Sequence, residues 1–213
     1  MRRYKVGTSI ENRPIISVVI GQGKEVILVI ATVHGNERAG TRLVRQLPGY
    51  FRRYPKLLRG RKVVVLPLAN PDGAAINCHY NSRGVDLNHN FSTANRINSM
   101  QYGFTAISEP ETRVIERIIR YYGPRRIISF HQPLACIDYD GPGRNLAHHM
   151  AKFCDLPVCK LGALPGSLGS YAGVELGIPT ITFELPWGAD MLTSENLWRR
   201  YGASLIAAIL YNT

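Results

Sequence analysis

Val26-Ile-Leu-Val-Ile-Ala-Thr-Val-His-Gly-Asn-Glu37 is the stretch that decides the fold of this chain. Its first six residues are apolar and largely β-branched, the mark of a short buried strand. The run then breaks into His34-Gly-Asn-Glu37, and a helical pattern follows over Arg38–Leu47. A strand that ends in ligand-type side chains and hands over to a helix is the unit from which α/β sheets with sites at their strand ends are built.

Outward from this unit the alternation repeats. Strands are expected at Ile15–Ile20, Val26–Ala31, Val63–Leu68, Arg126–Phe130, Leu156–Lys160 and Thr180–Glu184. Helices are expected at Arg38–Leu47, Glu109–Tyr122, Asn145–Cys154, Tyr171–Leu176 and Ser194–Tyr211. Ser108-Glu-Pro-Glu111 reads as a helix start, with Ser108 as N-cap, a glutamate three residues on and proline in the first turn. The expected fold is α/β, one domain over residues 1–213 with a mixed, mostly parallel twisted sheet and helices on both faces. Pro71 to Ser108 shows no periodicity, and its Asn, Asp, Arg and His content marks it as a functional segment.

Bulk properties narrow the function. With 213 residues, 45% of them hydrophobic, the chain is long enough for one good-sized core. No window approaches the roughly 18 consecutive apolar residues of a membrane span, so no membrane partner is expected. The basic start Met1-Arg-Arg-Tyr-Lys5 leads into Gly7, Thr8, Ser9 and Glu11 rather than an apolar signal region, which gives the cytoplasm as the expected compartment. Cys78, Cys136, Cys154 and Cys159 are then expected to be reduced thiols. The formal charge of +11 suits an anionic partner. Nucleic acid is disfavoured because the Arg and Lys clusters lack interleaved aromatics and a recognition motif. A small polycarboxylate fits the same charge. A homodimer is left open.

Four segments deliver polar side chains where strands end. Val26–Val33 runs into His34 and Glu37, Val63–Ala69 into Asn70-Pro-Asp-Gly73, Arg126–Phe130 into His131, and Thr180–Phe183 into Glu184. His34 and Glu37, three apart, can offer an imidazole nitrogen and a carboxylate oxygen to one ion. With His131 as third ligand, a tetrahedral zinc would keep one position open to water, as catalysis requires. Glu184 follows the apolar Pro179-Thr-Ile-Thr-Phe183, where a carboxylate needs a partner or a task, and the task expected is that of general base.

In this order, His34-Gly-Asn-Glu37, Asn70-Pro-Asp-Gly73, Arg83-Gly-Val-Asp-Leu-Asn-His-Asn-Phe91, Ser129-Phe-His131 and Phe183-Glu-Leu-Pro186 resemble the zinc metallocarboxypeptidases from about Val26 to Leu210. Ser108-Glu-Pro-Glu-Thr112, Ser129 to Ile137 and Pro165-Gly-Ser-Leu-Gly-Ser170 are most similar to its branch of bacterial murein peptide amidases. The resemblance implies the zinc carboxypeptidase fold, one Zn2+ on His34, Glu37 and His131, Glu184 as catalytic base, and an anionic murein tripeptide as substrate. The bond it implies is γ-D-glutamyl–meso-diaminopimelate, cleaved in cell-wall recycling. It also implies substrate-binding roles for Asn88, His89 and Ser167.

Two positions depart from the family pattern. The family's carboxylate-clamping Asn-Arg pair is Asn88-His89 here, and the arginine that polarises the scissile carbonyl aligns with His79, with Arg83 as an alternative. Histidine lacks the planar bidentate fork of arginine and is only partly charged near neutral pH. Two other readings stand beside the first: an N-acyl amino acid amidohydrolase, because aspartoacylase is similar in carrying His-Gly-Asn-Glu and a later zinc histidine, and, from the two histidines, a zinc-holding pseudoenzyme that binds anionic peptides.

Overall fold

A computed structural model describes residues 1–212 of the protein. Seven strands, β1 (Arg2–Thr8), β2 (Pro14–Gly21), β3 (Glu25–Ala31), β4 (Arg61–Leu66), β5 (Arg126–His131), β6 (Leu134–Asp140) and β7 (Thr180–Pro186), form one sheet in the order β1-β2-β4-β3-β5-β7-β6. The central strands β4, β3, β5 and β7 run parallel, and β1, β2 and β6 are antiparallel to their neighbours. Among the described residues six α-helices accompany them: α1 (Ala39–Val44), α2 (Leu47–Arg53), α3 (Pro71–Ala75), α4 (Pro110–Tyr122), α5 (Arg144–Ala151) and α6 (Ser194–Leu210).

The two faces of β3 show why its sequence is uniformly apolar. Ile27, Val29 and Ala31 join a core built with α1, α2, α5 and α6. Val26, Leu28 and Ile30 join a second core with α4, Phe91 and Tyr171. Successive side chains of a strand point to opposite faces, and here both faces are covered, so neither set can be polar.

Several expectations need correction. Arg38–Leu47 is not one helix: α1 ends at Val44 and α2 starts at Leu47, with Pro48 in its first turn. Proline has no N–H for the carbonyl four residues back, so a continuous helix fails there. Ser108 is not the cap of α4. Glu109 takes that position with extended backbone (φ −91°, ψ 136°), as the residue before Pro110 must. Ser108 Oγ instead donates to Glu109 Oε1 and accepts from Asn90 Nδ2. Leu156–Lys160 forms no strand; its backbone touches β6 through a single bridge, Ile137 to Val158. Tyr171–Leu176 overlaps a π-helical turn over Gly169–Glu175, with Leu176 as its C-cap.

That single bridge overturns the reading of four free thiols. It brings Cys136 and Cys159 to a Cα separation of 6.2 Å, and the two form a disulfide, leaving Cys78 and Cys154 free. Among the described residues no helix is long and apolar enough to cross a membrane.

Candidate metal centre and active site

The sheet order contains a switch: β3 pairs with β4 on one side and β5 on the other, and all three are parallel. Connections leaving the carboxyl ends of β3 and its neighbours therefore diverge and leave a crevice at that edge. His34 and Glu37 lie just past β3, His131 ends β5, and Glu184 in β7 is paired directly with His131.

Local chemistry shapes the turn that carries the first two. Thr32 holds a left-handed backbone (φ 54°), uncommon for a β-branched residue, and its Oγ1 bonds the Glu37 carbonyl and Thr41 Oγ1. Asn70 supports the same turn from β4's side. Its N–H donates to the Thr32 carbonyl, its Nδ2 to the Val33 carbonyl, and its Oδ1 caps α3 by accepting from Gly73 N. Gly35 is required by close approach, because a Cβ there would lie 2.1 Å from the Gly73 carbonyl carbon. Asp72 then ties α3 to the β1–β2 turn, accepting from Ser9 Oγ, Glu11 N, Arg13 and Ser82 Oγ. The Asn70-Pro-Asp-Gly73 motif is thus a brace for the His34 turn.

The result is a tight triangle. His34 Nδ1 lies 2.8 Å from Glu37 Oε1, His131 Nδ1 lies 3.1 Å from Glu37 Oε2, and the two Nδ1 atoms are 3.2 Å apart. Ligand atoms about 2.0–2.1 Å from a tetrahedral zinc sit roughly 3.3 Å from one another, so these spacings suit one ion. All three residues are buried. Glu37 Oε2 and His34 Nε2 are buried atoms with no well-aligned hydrogen-bond partner, although His131 and Asp86 are within ion-pair distance of them. Buried polar atoms left so are costly, and a cation on the Nδ1/Oε side would satisfy the carboxylate. The donor set fits zinc.

The outer ring nitrogens are also held. Ser129 Oγ is 2.9 Å from His131 Nε2, and Asp86 Oδ1 is 3.3 Å from His34 Nε2. Asp86 Oδ2 reaches His79 Nε2 at 3.0 Å, and the His79 ring stacks on His34 with centroids 3.8 Å apart. Such partners set tautomer and ring orientation. Sequence reasoning quoted Asp86 without giving it this role; an aspartate two residues before Asn88 carries no signal of which imidazoles it will meet.

Electrostatics follow from burial and these contacts. Burial alone would lower the pKa of His34, but the charge of Glu37 and the close contacts with Asp86 and Glu37 raise it to about 10. Glu37 would be raised by burial, yet His34 and His131 hold it down at about 2. Asp86, opposed by burial too, is held well below the carboxylate range by His34 and His79. Glu184 behaves in the opposite way: burial pushes it up, His131 counteracts and Glu37 adds to the rise. One of its oxygens, Oε2, is 3.4 Å from the Leu134 N–H.

The remaining residues singled out from sequence are distributed around this centre. His79 is at it. Arg83 is not: its side chain is 56% exposed and its nearest acid is Glu109, 3.8 Å away. Asn88 Oδ1 accepts from Leu168 N, which leaves its Nδ2 as a free-standing donor group. His89 Nδ1 is 2.6 Å from the Pro165 carbonyl, and its ring stacks on Tyr102. A carbonyl only accepts, so Nδ1 carries the proton and Nε2 is the nitrogen left to a ligand. Ser167 is buried, with Oγ accepting from Ser170 N.

Residues 1–139 match the family model described as zinc carboxypeptidase, Peptidase_M14. The chain belongs to this family. It is an enzyme of the zinc metallocarboxypeptidase and amidase type. Murein peptide amidase A of Escherichia coli strain K12 is 35% identical over 177 residues, covering 75% of this chain and 70% of that protein. The crystal structure of murein-tripeptide amidase from Escherichia coli O157 superposes with a TM-score of 0.80 at 26% identity, over 100% of this chain and 93% of that one. Carboxypeptidase A from Helicoverpa armigera gives the same score, 0.80, at 20% identity over 98% and 68% of the two chains, a likeness of fold alone.

Proposed function

We propose that this zinc carboxypeptidase-type enzyme hydrolyses murein peptides at the γ-D-glutamyl–meso-diaminopimelate bond, with His34, Glu37 and His131 as metal ligands and Glu184 as general base. The observation that carries the reading is the buried triangle of two imidazole nitrogens and a carboxylate beside Glu184, paired in register with His131. The names of the two Escherichia coli relatives support the substrate class. Asn70-Pro-Asp-Gly73 and Phe183-Glu-Leu-Pro186 favour this over the N-acyl amino acid reading, which shares the triangle.

Zinc, when bound, supplies Lewis-acid polarisation of the amide carbonyl and makes water a better nucleophile. The rest is the work of the chain. Glu184, its carboxyl raised by burial, takes the proton of the attacking water and returns it to the departing amine nitrogen. His79, held by Asp86, stands in for the carbonyl-polarising arginine, a role Arg83 at the surface does not fill. Asn88 Nδ2 receives a substrate carboxylate, joined by His89 Nε2 in the imidazolium form, where both ring nitrogens donate. Histidine supplies one donor where arginine would supply two, so the grip is weaker than in an arginine-bearing relative.

The test is incubation of zinc-loaded protein with L-Ala-γ-D-Glu-diaminopimelate. Free diaminopimelate is expected, and a chelator should abolish its release. Turnover of N-acetylaspartate without any diaminopimelate would transfer the case to the acyl amino acid reading; neither turnover, with zinc bound, would leave a binding protein.

A further inference from the structure

Beyond the hydrolytic centre, the His34–Glu37 turn borders a second, polar cavity. It measures about 710 Å³ and is lined by Asn36, Arg38, Thr41, Arg42 and Arg45 on one wall and by Asn77, Pro71 and Ala74 on the other. None of the metal-binding triangle lines it. Arg38, Thr41, Arg42 and Arg45 are spaced i, i+3, i+4 and i+7. Backbone angles at Arg38 (φ −94°, ψ −9°) and Arg45 (φ −66°, ψ −12°) continue the helical turn of α1 at both ends. That spacing puts all four on one face, with the first and last arginine about 10 Å apart along the axis.

Charge in the cavity is unbalanced. Asp190 is its one acidic lining residue, 3.5 Å from Arg42, whose terminal nitrogen also donates to the Ala189 and Asp190 carbonyls. Arg42 Nε is buried with no acceptor. Arg38 and Arg45 are exposed and pair with no acid among the described residues. Three guanidinium groups thus face one carboxylate across a cavity of ligand-binding size. Like charges held along one face repel unless anions join them, and two linked oxyanions neutralise more of such a row than one.

The geometry points to this cleft as an anion site for a ligand carrying two linked oxyanions, of the diphosphate or dicarboxylate class, bound by Arg38, Arg42 and Arg45 with Asn36 and Asn77 as amide partners. Guanidinium forks match either oxyanion in bidentate fashion. The site is separate from the base and the metal, so it stands independently of the hydrolytic reading.

Titration calorimetry on zinc-loaded protein at constant ionic strength, with sodium pyrophosphate and with succinate, tests it. Saturable one-to-one binding of at least one probe is expected, and the tighter of the two identifies the phosphate or carboxylate source. Arg38→Gln/Arg45→Gln should weaken that binding by about tenfold or more, whereas Arg52→Gln/Arg53→Gln, which removes the same charge elsewhere, should leave it within about twofold. Where the double variant does not fold by circular dichroism, Arg45→Gln alone repeats the comparison at an exposed position. No saturable binding of either probe overturns the inference. So does an affinity that survives Arg38→Gln/Arg45→Gln, as it would if the anion sat on the metal, or one that falls equally in both double variants.

Discussion

Glu184 is placed where its proton is useful: burial and the charge of Glu37 disfavour the ionised form, and the paired His131 opposes them. Replacing it with glutamine keeps shape and removes the proton carrier. Glu184→Gln should lower kcat by roughly two to four orders of magnitude with zinc content by mass spectrometry unchanged; a loss of less than about tenfold would mean another group is the base. His34 makes a second prediction. Its pKa in the metal-free fold is raised from 6.5 to about 10, so its cationic form stabilises the fold fully below pH 6.5, and that stabilisation disappears as pH rises through about 10. The urea midpoint of chelator-treated protein should therefore fall between about pH 7 and pH 10. Zinc-loaded protein should fall less, because a ligating nitrogen carries no proton. Equal slopes would show that the ion is not on His34.

At the level of elements, the antiparallel edge strand β6 carries more than its sequence suggests. It pairs with β7 along Leu134 to Asp140, and its outer side meets the Val158 segment, where Cys136 and Cys159 are joined across 23 positions. Closing a loop of that length contributes roughly 3 kcal/mol by chain entropy. Thiol titration of the unfolded, unreduced protein should find two free cysteines, Cys78 and Cys154, and Cys136→Ala/Cys159→Ala should lower stability by a few kcal/mol. Four titratable thiols would contradict the pairing. Elsewhere, the short α3 acts through its cap and through Asp72, which fastens the β1–β2 turn beneath the brace of the His34 turn.

For the molecule as a whole, the formal charge of +11 sets up a field that attracts anions before contact. With an anionic murein tripeptide as substrate, kcat/KM should fall several-fold between about 0.02 and 0.3 M salt while kcat stays nearly constant. A kcat/KM independent of salt would show that long-range attraction has no part in substrate capture.

The sequence alone determined the parallel centre of the sheet, because a strand buried on both faces must be apolar throughout; β3, β5 and β7 were recognisable for that reason. It also singled out His34, Glu37, His131 and Glu184, since polar residues that interrupt such runs stand out, and the structure brings the four together at one edge of the sheet. The edge strands were not legible. β1 is the charged Arg2-Arg-Tyr-Lys-Val-Gly-Thr8, largely exposed, and β6 begins with an exposed Leu134, so neither offers a clean alternation. Only the tertiary structure decided that His79 rather than Arg83 meets the His34–Glu37–His131 triangle, that Asp86 bridges two imidazoles, and that Cys136 finds Cys159. Those outcomes depend on where irregular loops carry side chains through space, and no residue-by-residue periodicity records a loop's path.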